Sequence, residues 1–174
     1  MQPEILPFAL SRLHIAFLEA IRAFRIPITV PNDPSFPGAG RQHPLFKKAD
    51  DLSREVIGAA IGVHRLKGPG LIESIYEKCL TRELALRNIA CVNQRLVKIE
   101  YKGMTFDEPL RFDVLAEDCL LLELKSVQEV LPVHKAQLLS YMKLLDIPVG
   151  LIFNFHELKL TDGISRMILP GANQ

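Results

Sequence analysis

Glu123 and Lys125 stand two residues apart in the segment Leu120-Leu121-Leu122-Glu123-Leu124-Lys125. In a strand, that spacing sends both side chains to one face of the sheet. Their neighbours are leucines, so the pair is drawn out of water, where a charge is costly unless it is paired or bound to a metal. Two readings are open: the two groups pair with each other or reach water at the strand end, or they do chemistry. Asp113 on the preceding strand bears on the choice. A three-residue connection over 117–119 would set residue 113 opposite residue 123 and gather two carboxylates and an ammonium on one face. Carboxylates that close repel unless something positive lies between them. A divalent cation answers that need, because Mg²⁺ is commonly held by one or two carboxylates with waters and substrate phosphate oxygens. A two-residue turn would send Asp113 to the other face, and an Asp beside a turn is also an ordinary finding.

The elements that must position these groups are legible in the apolar pattern. Asp51 to Arg65 reads as a helix with Leu52, Val56, Ile57, Ala60 and Ile61 on one face. Gly68-Pro69-Gly70 ends it. A second helix runs from Leu71 to Arg87, with Ile72, Ile75, Tyr76, Cys79 and Leu80 inward. Val97, Ile99 and Tyr101 alternate with Lys98 and Glu100, the pattern of a half-buried strand. Lys102-Gly103 turns into a second strand over Leu110 to Ala116, and Glu117-Asp118 into a third over Cys119 to Ser126. The run Leu120 to Leu122 suits a central strand covered on both faces. A third helix spans Val133 to Leu145, with strands at Val149 to Phe155 and Ile164 to Leu169. A hairpin meander followed by a crossover helix predicts a mixed sheet with helices packed on it.

Other candidates take their place on these elements. Gln137 and Tyr141 lie one turn apart on the third helix. Glu73 opens the second helix, where a carboxylate complements the helix dipole whatever else it does. Tyr76 and Tyr141 suit core aromatics whose hydroxyls reach a partner. His64 and His134, near helix ends, read as caps or satisfied groups and stay outside the catalytic set. Lys98, Lys102, Arg111 and Lys135 flank the proposed site in sequence and are within reach of phosphates, or are solvated surface charges.

Composition narrows the class. With 48% hydrophobic and 24% charged residues, the chain of 174 residues has material for a packed core and no signature of disorder. The net charge of +1 offers no global field for coating nucleic acid. Cys79, Cys91 and Cys119 are odd in number and too scattered for a zinc site, which points to buried thiols and a cytoplasmic setting. Residues 1–41 read differently from the rest. Leu6, Leu10, Leu13, Phe17, Ile21 and Phe24 share a helical face, interrupted by Arg12, Glu19 and Arg22, and a Pro/Gly-rich linker follows. That pattern reads as neither a membrane span nor a signal peptide.

Taken together, several motifs in order give a resemblance. Asp113 followed by Glu123-Leu124-Lys125 resembles the catalytic signature of the PD-(D/E)XK nuclease superfamily. Gln137-x-x-x-Tyr141 resembles its exonuclease branch. Gly70-Leu71-Ile72-Glu73-Ser74-Ile75-Tyr76 matches the name-giving motif of the GxxExxY proteins, and Val63-His64, Gly68-Pro69-Gly70, Tyr101-Lys102-Gly103, Arg111-x-Asp113 and Asn154-Phe155 accompany it. Two departures are Lys67, where the family pattern has Leu, and the unmatched first 41 residues. The resemblance implies an α/β (α+β) fold: a restriction-endonuclease-like mixed β-sheet flanked by helices, with an N-terminal helical extension over 1–41 and the nuclease-like domain over 50–170. It implies catalytic roles for Glu73, Asp113, Glu123, Lys125, Gln137 and Tyr141. Asp113, Glu123 and Glu73 would be metal ligands, with the Leu124 carbonyl a further one. Lys125 would orient water or steady developing charge, and Gln137 and Tyr141 would hold the face of the site.

The expected function is metal-dependent hydrolysis of phosphodiester bonds in nucleic acid, with DNA the substrate and Mg²⁺ (or Mn²⁺) the cofactor. Alternatives are an inactive nucleic-acid-binding or accessory module of the same fold, and an interaction protein built around the N-terminal helix. A protein partner or homo-oligomer is an expected further association, and a membrane is not.

Overall fold

The computed structural model describes residues 42–173. The helix and linker expected over 1–41 lie outside the described residues. The order is α1 (Phe46–Lys67), α2 (Glu73–Leu86), β1 (Cys91–Tyr101), β2 (Met104–Ala116), β3 (Leu120–Lys125), α3 (Pro132–Leu145), β4 (Val149–Asn154), a 3₁₀ turn (Leu160–Gly163) and β5 (Ile164–Ile168).

The five strands lie in the order β1-β2-β3-β4-β5. All neighbours are antiparallel except β3 and β4, which run parallel and are joined through α3. This is the mixed sheet that the meander and crossover helix predict. Alternation along β3 divides the core into two layers. Leu120, Leu122 and Leu124 join Val114, Leu151 and Phe153 in a cluster with Val56, Ala60 and Val63 of α1 and Tyr76, Leu80 and Leu84 of α2. Leu121, Glu123 and Ile152 belong to the opposite face, where α3 lies. Gly150, paired with Leu121, permits that approach. A Cβ there would sit 2.7 Å from Met142 Sδ and 3.0 Å from Leu138. Each buried leucine contributes about 1.5–3 kcal/mol, so β3 and its neighbour β4, buried along nearly their whole length, are the most firmly seated strands.

Helix ends are set by local chemistry. Gly68, at φ 70°, ends α1 and donates its N–H to the His64 carbonyl. Pro132 opens α3, whose Leu131 N–H donates to His134 Nδ1 at 3.1 Å. His134 is thus a cap, as expected.

Three expectations change. α1 starts at Phe46 rather than Asp51, because Leu45 and Phe46 pack on the core and His43 Nδ1 accepts the Leu45 N–H at 3.1 Å. β1 and β2 start at Cys91 and Met104 rather than near Val97 and Leu110, because ladder hydrogen bonds carry polar residues into strands without apolar alternation. Ile72 and Ile75 are exposed rather than inward, since α2 buries only the i, i+4 row of Tyr76, Leu80 and Leu84.

Candidate active site

The connection between β2 and β3 decides whether the acidic groups meet. Glu117 and Asp118 adopt left-handed φ values of 49° and 56°, and the Cys119 N–H donates to the Ala116 carbonyl at 3.1 Å. The ladder pairs Ala116 with Leu120 and Val114 with Leu122, leaving the three residues 117–119 in the connection. One more step along this register sets Asp113 opposite Glu123. On its other edge β2 is bulged there: Val92 pairs with Leu115 and Gln94 with Arg111, so Phe112, Asp113 and Val114 face Asn93 alone. Bulges of this kind re-aim a side chain and end regular pairing. The Asn93 amide fills the opening, donating to the Asp113 carbonyl and to Glu77 Oε1.

Glu123 is 3% exposed, and its Oε1 accepts a hydrogen bond from Lys125 Nζ at 2.6 Å. Asp113 Oδ2 accepts the Leu124 N–H at 2.6 Å. Glu73, exposed at the first turn of α2, reaches the end of β3 and accepts the Ser126 N–H at 3.1 Å. Gln137 Nε2 donates to the Tyr141 hydroxyl at 3.4 Å on α3.

The electrostatics bind these groups into one site. Burial, and then the charge of Glu123, push Asp113 up to about 6, against the pull of the Leu124 amide and Lys125. Burial raises Glu123 in spite of Lys125. Burial works to lower Lys125, but Glu123, Asp113 and Glu73 outweigh it, so the ammonium is held above its ordinary range. Burial raises the Tyr141 hydroxyl, opposed by Gln137 and reinforced by Glu123 and Asp113. Burial and Lys125 lower His134. Burial and Asp113 raise Glu77.

Asp113, Glu123 and Lys125 therefore form a common cluster. Glu73, Gln137 and Tyr141 interact with it or stand on the helices beside it. Glu77 and Asn93 were missed by sequence reasoning. Glu77 had a signal, one turn after Glu73 on the same helix, whereas Asn93 depends on the bulge and had none. Tyr76 holds the Gly-Pro-Gly bend: its hydroxyl donates to the Gly68 carbonyl at 2.6 Å and accepts the Leu71 N–H at 3.1 Å, while its ring stacks on Phe155 at 4.2 Å.

Among the described residues, no group of three or more His, Cys, Asp or Glu side chains forms a ready cage for a metal. A hard ion of the Mg²⁺ kind needs less, because it keeps several waters and takes one or two carboxylates. Two acid groups raised by burial and by a neighbouring carboxylate, Glu123 for Asp113 and Glu73 for Glu123, all oxygen in their donor chemistry, fit such an ion. No helix among the described residues is long and apolar enough to cross a membrane.

A search against curated proteins and solved structures returns no match. A family model described as the PD-(D/E)XK nuclease superfamily matches residues 50–167, which take in every strand of the mixed sheet but the last residue of β5, α2, α3, most of α1 and all the site residues above. The fold is accordingly the α+β restriction-endonuclease-like one, and the chain belongs to the PD-(D/E)XK nuclease superfamily.

Proposed function

We propose that the chain is a metal-dependent nuclease that hydrolyses phosphodiester bonds of DNA. The observation that carries this reading is the cluster of buried Glu123 with half-buried Asp113 and Lys125 on adjoining strands, with Glu73 brought to its edge by α2. Asp113 and Glu123 would hold Mg²⁺ or Mn²⁺, with Glu73 in support. When bound, such an ion polarises the scissile phosphate and lowers the pKa of water. Lys125 stays cationic under the charges of Glu123, Asp113 and Glu73. It therefore serves as a hydrogen-bond donor to attacking water or to charge developing on phosphate, not as the base that takes a proton. Gln137 and Tyr141, on the helix over this face, hold the substrate backbone.

The finer membership we propose is the GxxExxY branch. Gly70 at φ 97° makes a bend that a side chain would strain, Glu73 follows at the helix start, and the Tyr76 hydroxyl ties the bend to the helix. The spacing of these three residues thus has one local purpose, to deliver Glu73 to the end of β3. The Gln137-x-x-x-Tyr141 pair favours end-directed cleavage. A net charge of +1 favours a substrate held by local contacts.

Titration of Mn²⁺ into the full chain and into Asp113→Ala, followed calorimetrically, tests the reading. Binding by the wild type that is lost in the variant supports it, together with Mn²⁺-dependent cleavage of linear DNA. No binding and no cleavage by the wild type would leave a module of the same fold without turnover.

A further inference from the structure

The chain leaving β3 is fastened residue by residue. The Lys125 carbonyl accepts the Phe155 N–H at 2.7 Å. The Ser126 N–H donates to Glu73, and its hydroxyl donates to the Leu71 carbonyl at 2.7 Å. The Val127 N–H donates to Asn154 Oδ1 at 3.1 Å, and Asn154 Nδ2 donates to the Val127 carbonyl at 2.8 Å. Asn154 is 1% exposed and ends β4, opposite Lys125. Both ends of its side-chain amide meet the backbone of Val127, as a neighbouring strand would, and its Oδ1 also accepts the His156 N–H at a longer 3.4 Å. The ladder of β3 and β4 stops at Lys125 and Asn154, so Val127 has no strand partner of its own. An amide is costly to bury unless it is hydrogen-bonded, and here the bonds go to the turn that follows the site.

Resting on the nuclease reading, we infer that Asn154 is a positioning residue for the active site. It fixes Ser126-Val127, and through the Ser126 amide that segment holds the Glu73 carboxylate at the end of β3, beside Lys125. The Ser126 hydroxyl anchors the other side of the same link, on Leu71 at the root of α2. Asn154 touches no reacting atom. It acts by setting where Glu73 stands relative to Lys125 and Glu123.

The test compares the full-length wild type, Asn154→Ala and Leu84→Val in Mn²⁺-dependent cleavage of a linear duplex. Leu84 lies near the far end of α2 from Glu73 and controls for lost stability. Misplacement of a catalytic group by about 1 Å costs about 10²-fold, so kcat should fall ~10- to 100-fold in Asn154→Ala with KM changed less than about threefold. Leu84→Val should keep kcat at a temperature where both variants are folded. An Asn154→Ala enzyme with wild-type kcat, or an equal fall in Leu84→Val, overturns the inference. Amide exchange supplies a readout independent of activity. The Ser126 and Val127 amides should exchange at least about tenfold faster in Asn154→Ala, while those of Leu121 and Leu122 hold. Unchanged protection at Ser126 and Val127 overturns the inference even if the wild type cleaves. An inactive wild type with the exchange effect intact instead overturns the nuclease reading and leaves the fastening in place.

Discussion

Two strands of this sheet carry a lysine and a glutamate two residues apart, on one face. On β1 they are Lys98 and Glu100, and on β3 they are Glu123 and Lys125. The β1 pair lies on the two-stranded ribbon that β1 and β2 form beyond the reach of β3, with Lys98 opposite Asp107 and Glu100 opposite Thr105. All four are exposed, and Lys98 and Glu100 form no ion pair among the described residues. The β3 pair is in contact at 2.6 Å, with the Glu123 side chain 4% and the Lys125 side chain 14% exposed. Residue type and spacing are the same in both places, and chemistry is favoured in only one. Solvent screens the first pair, while burial makes each charge in the second depend on its neighbours. Whatever else the site does, its character comes from where β3 lies in the sheet.

Substitutions in the two pairs should act very differently. The largest effect is on cleavage: Glu123→Gln should lower Mn²⁺-dependent kcat on the order of 10³-fold, while Glu100→Gln leaves it unchanged in the same assay. Equal losses would show that the two pairs are not different in kind. Next comes stability. Lys125→Ala leaves a buried carboxylate without its cation and should cost about 3 kcal/mol in denaturant unfolding. The double variant Glu123→Gln/Lys125→Met should recover most of that loss while remaining inactive, since removing both charges removes the burial penalty.

A pH dependence follows from Asp113. Its folded value of about 6 lies above the ordinary 3.8, so the ionised form is disfavoured by folding. For the metal-free protein the cost is absent below about pH 4, grows as pH rises between 3.8 and about 6, and is constant above. Asp113→Asn should therefore raise the melting temperature at pH 8, by at most about 3 kcal/mol of stability, with the gain disappearing by pH 4. Mn²⁺ should raise the melting temperature of the wild type and not of this variant. A variant whose advantage persists at pH 4 would tie the gain to packing instead. The smallest effect belongs to Lys98→Ala, which should stay within about 0.5 kcal/mol of the wild type.

Much of this was written in the chain. The run Leu120 to Leu122 announced a strand covered on both faces, and the hairpins and crossover helix implied the mixed sheet. Asp113, Glu123 and Lys125 were legible as one set once their register was supposed. Ile72 and Ile75 were misplaced because helical periodicity defines a stripe but not its width, and α2 buries a narrow one. Asn93 escaped notice because an isolated polar residue carries no pattern, Glu77 was passed over one turn after Glu73, and Asn154 was legible only as part of a motif, its hold on Val127 being a matter of the folded chain.

By itself the sequence determined the order of elements and the faces of the strands, because the periods of helix and strand and the conformations of Gly68, Gly70 and Gly103 are local matters. Tertiary structure alone decided that the β2–β3 connection would hold three residues rather than two, so that Asp113 meets Glu123. It alone opened the bulge across from Asn93 and turned Asn154 onto Val127. Those outcomes depend on hydrogen bonds between segments up to dozens of residues apart, whose geometry exists only when the sheet has closed.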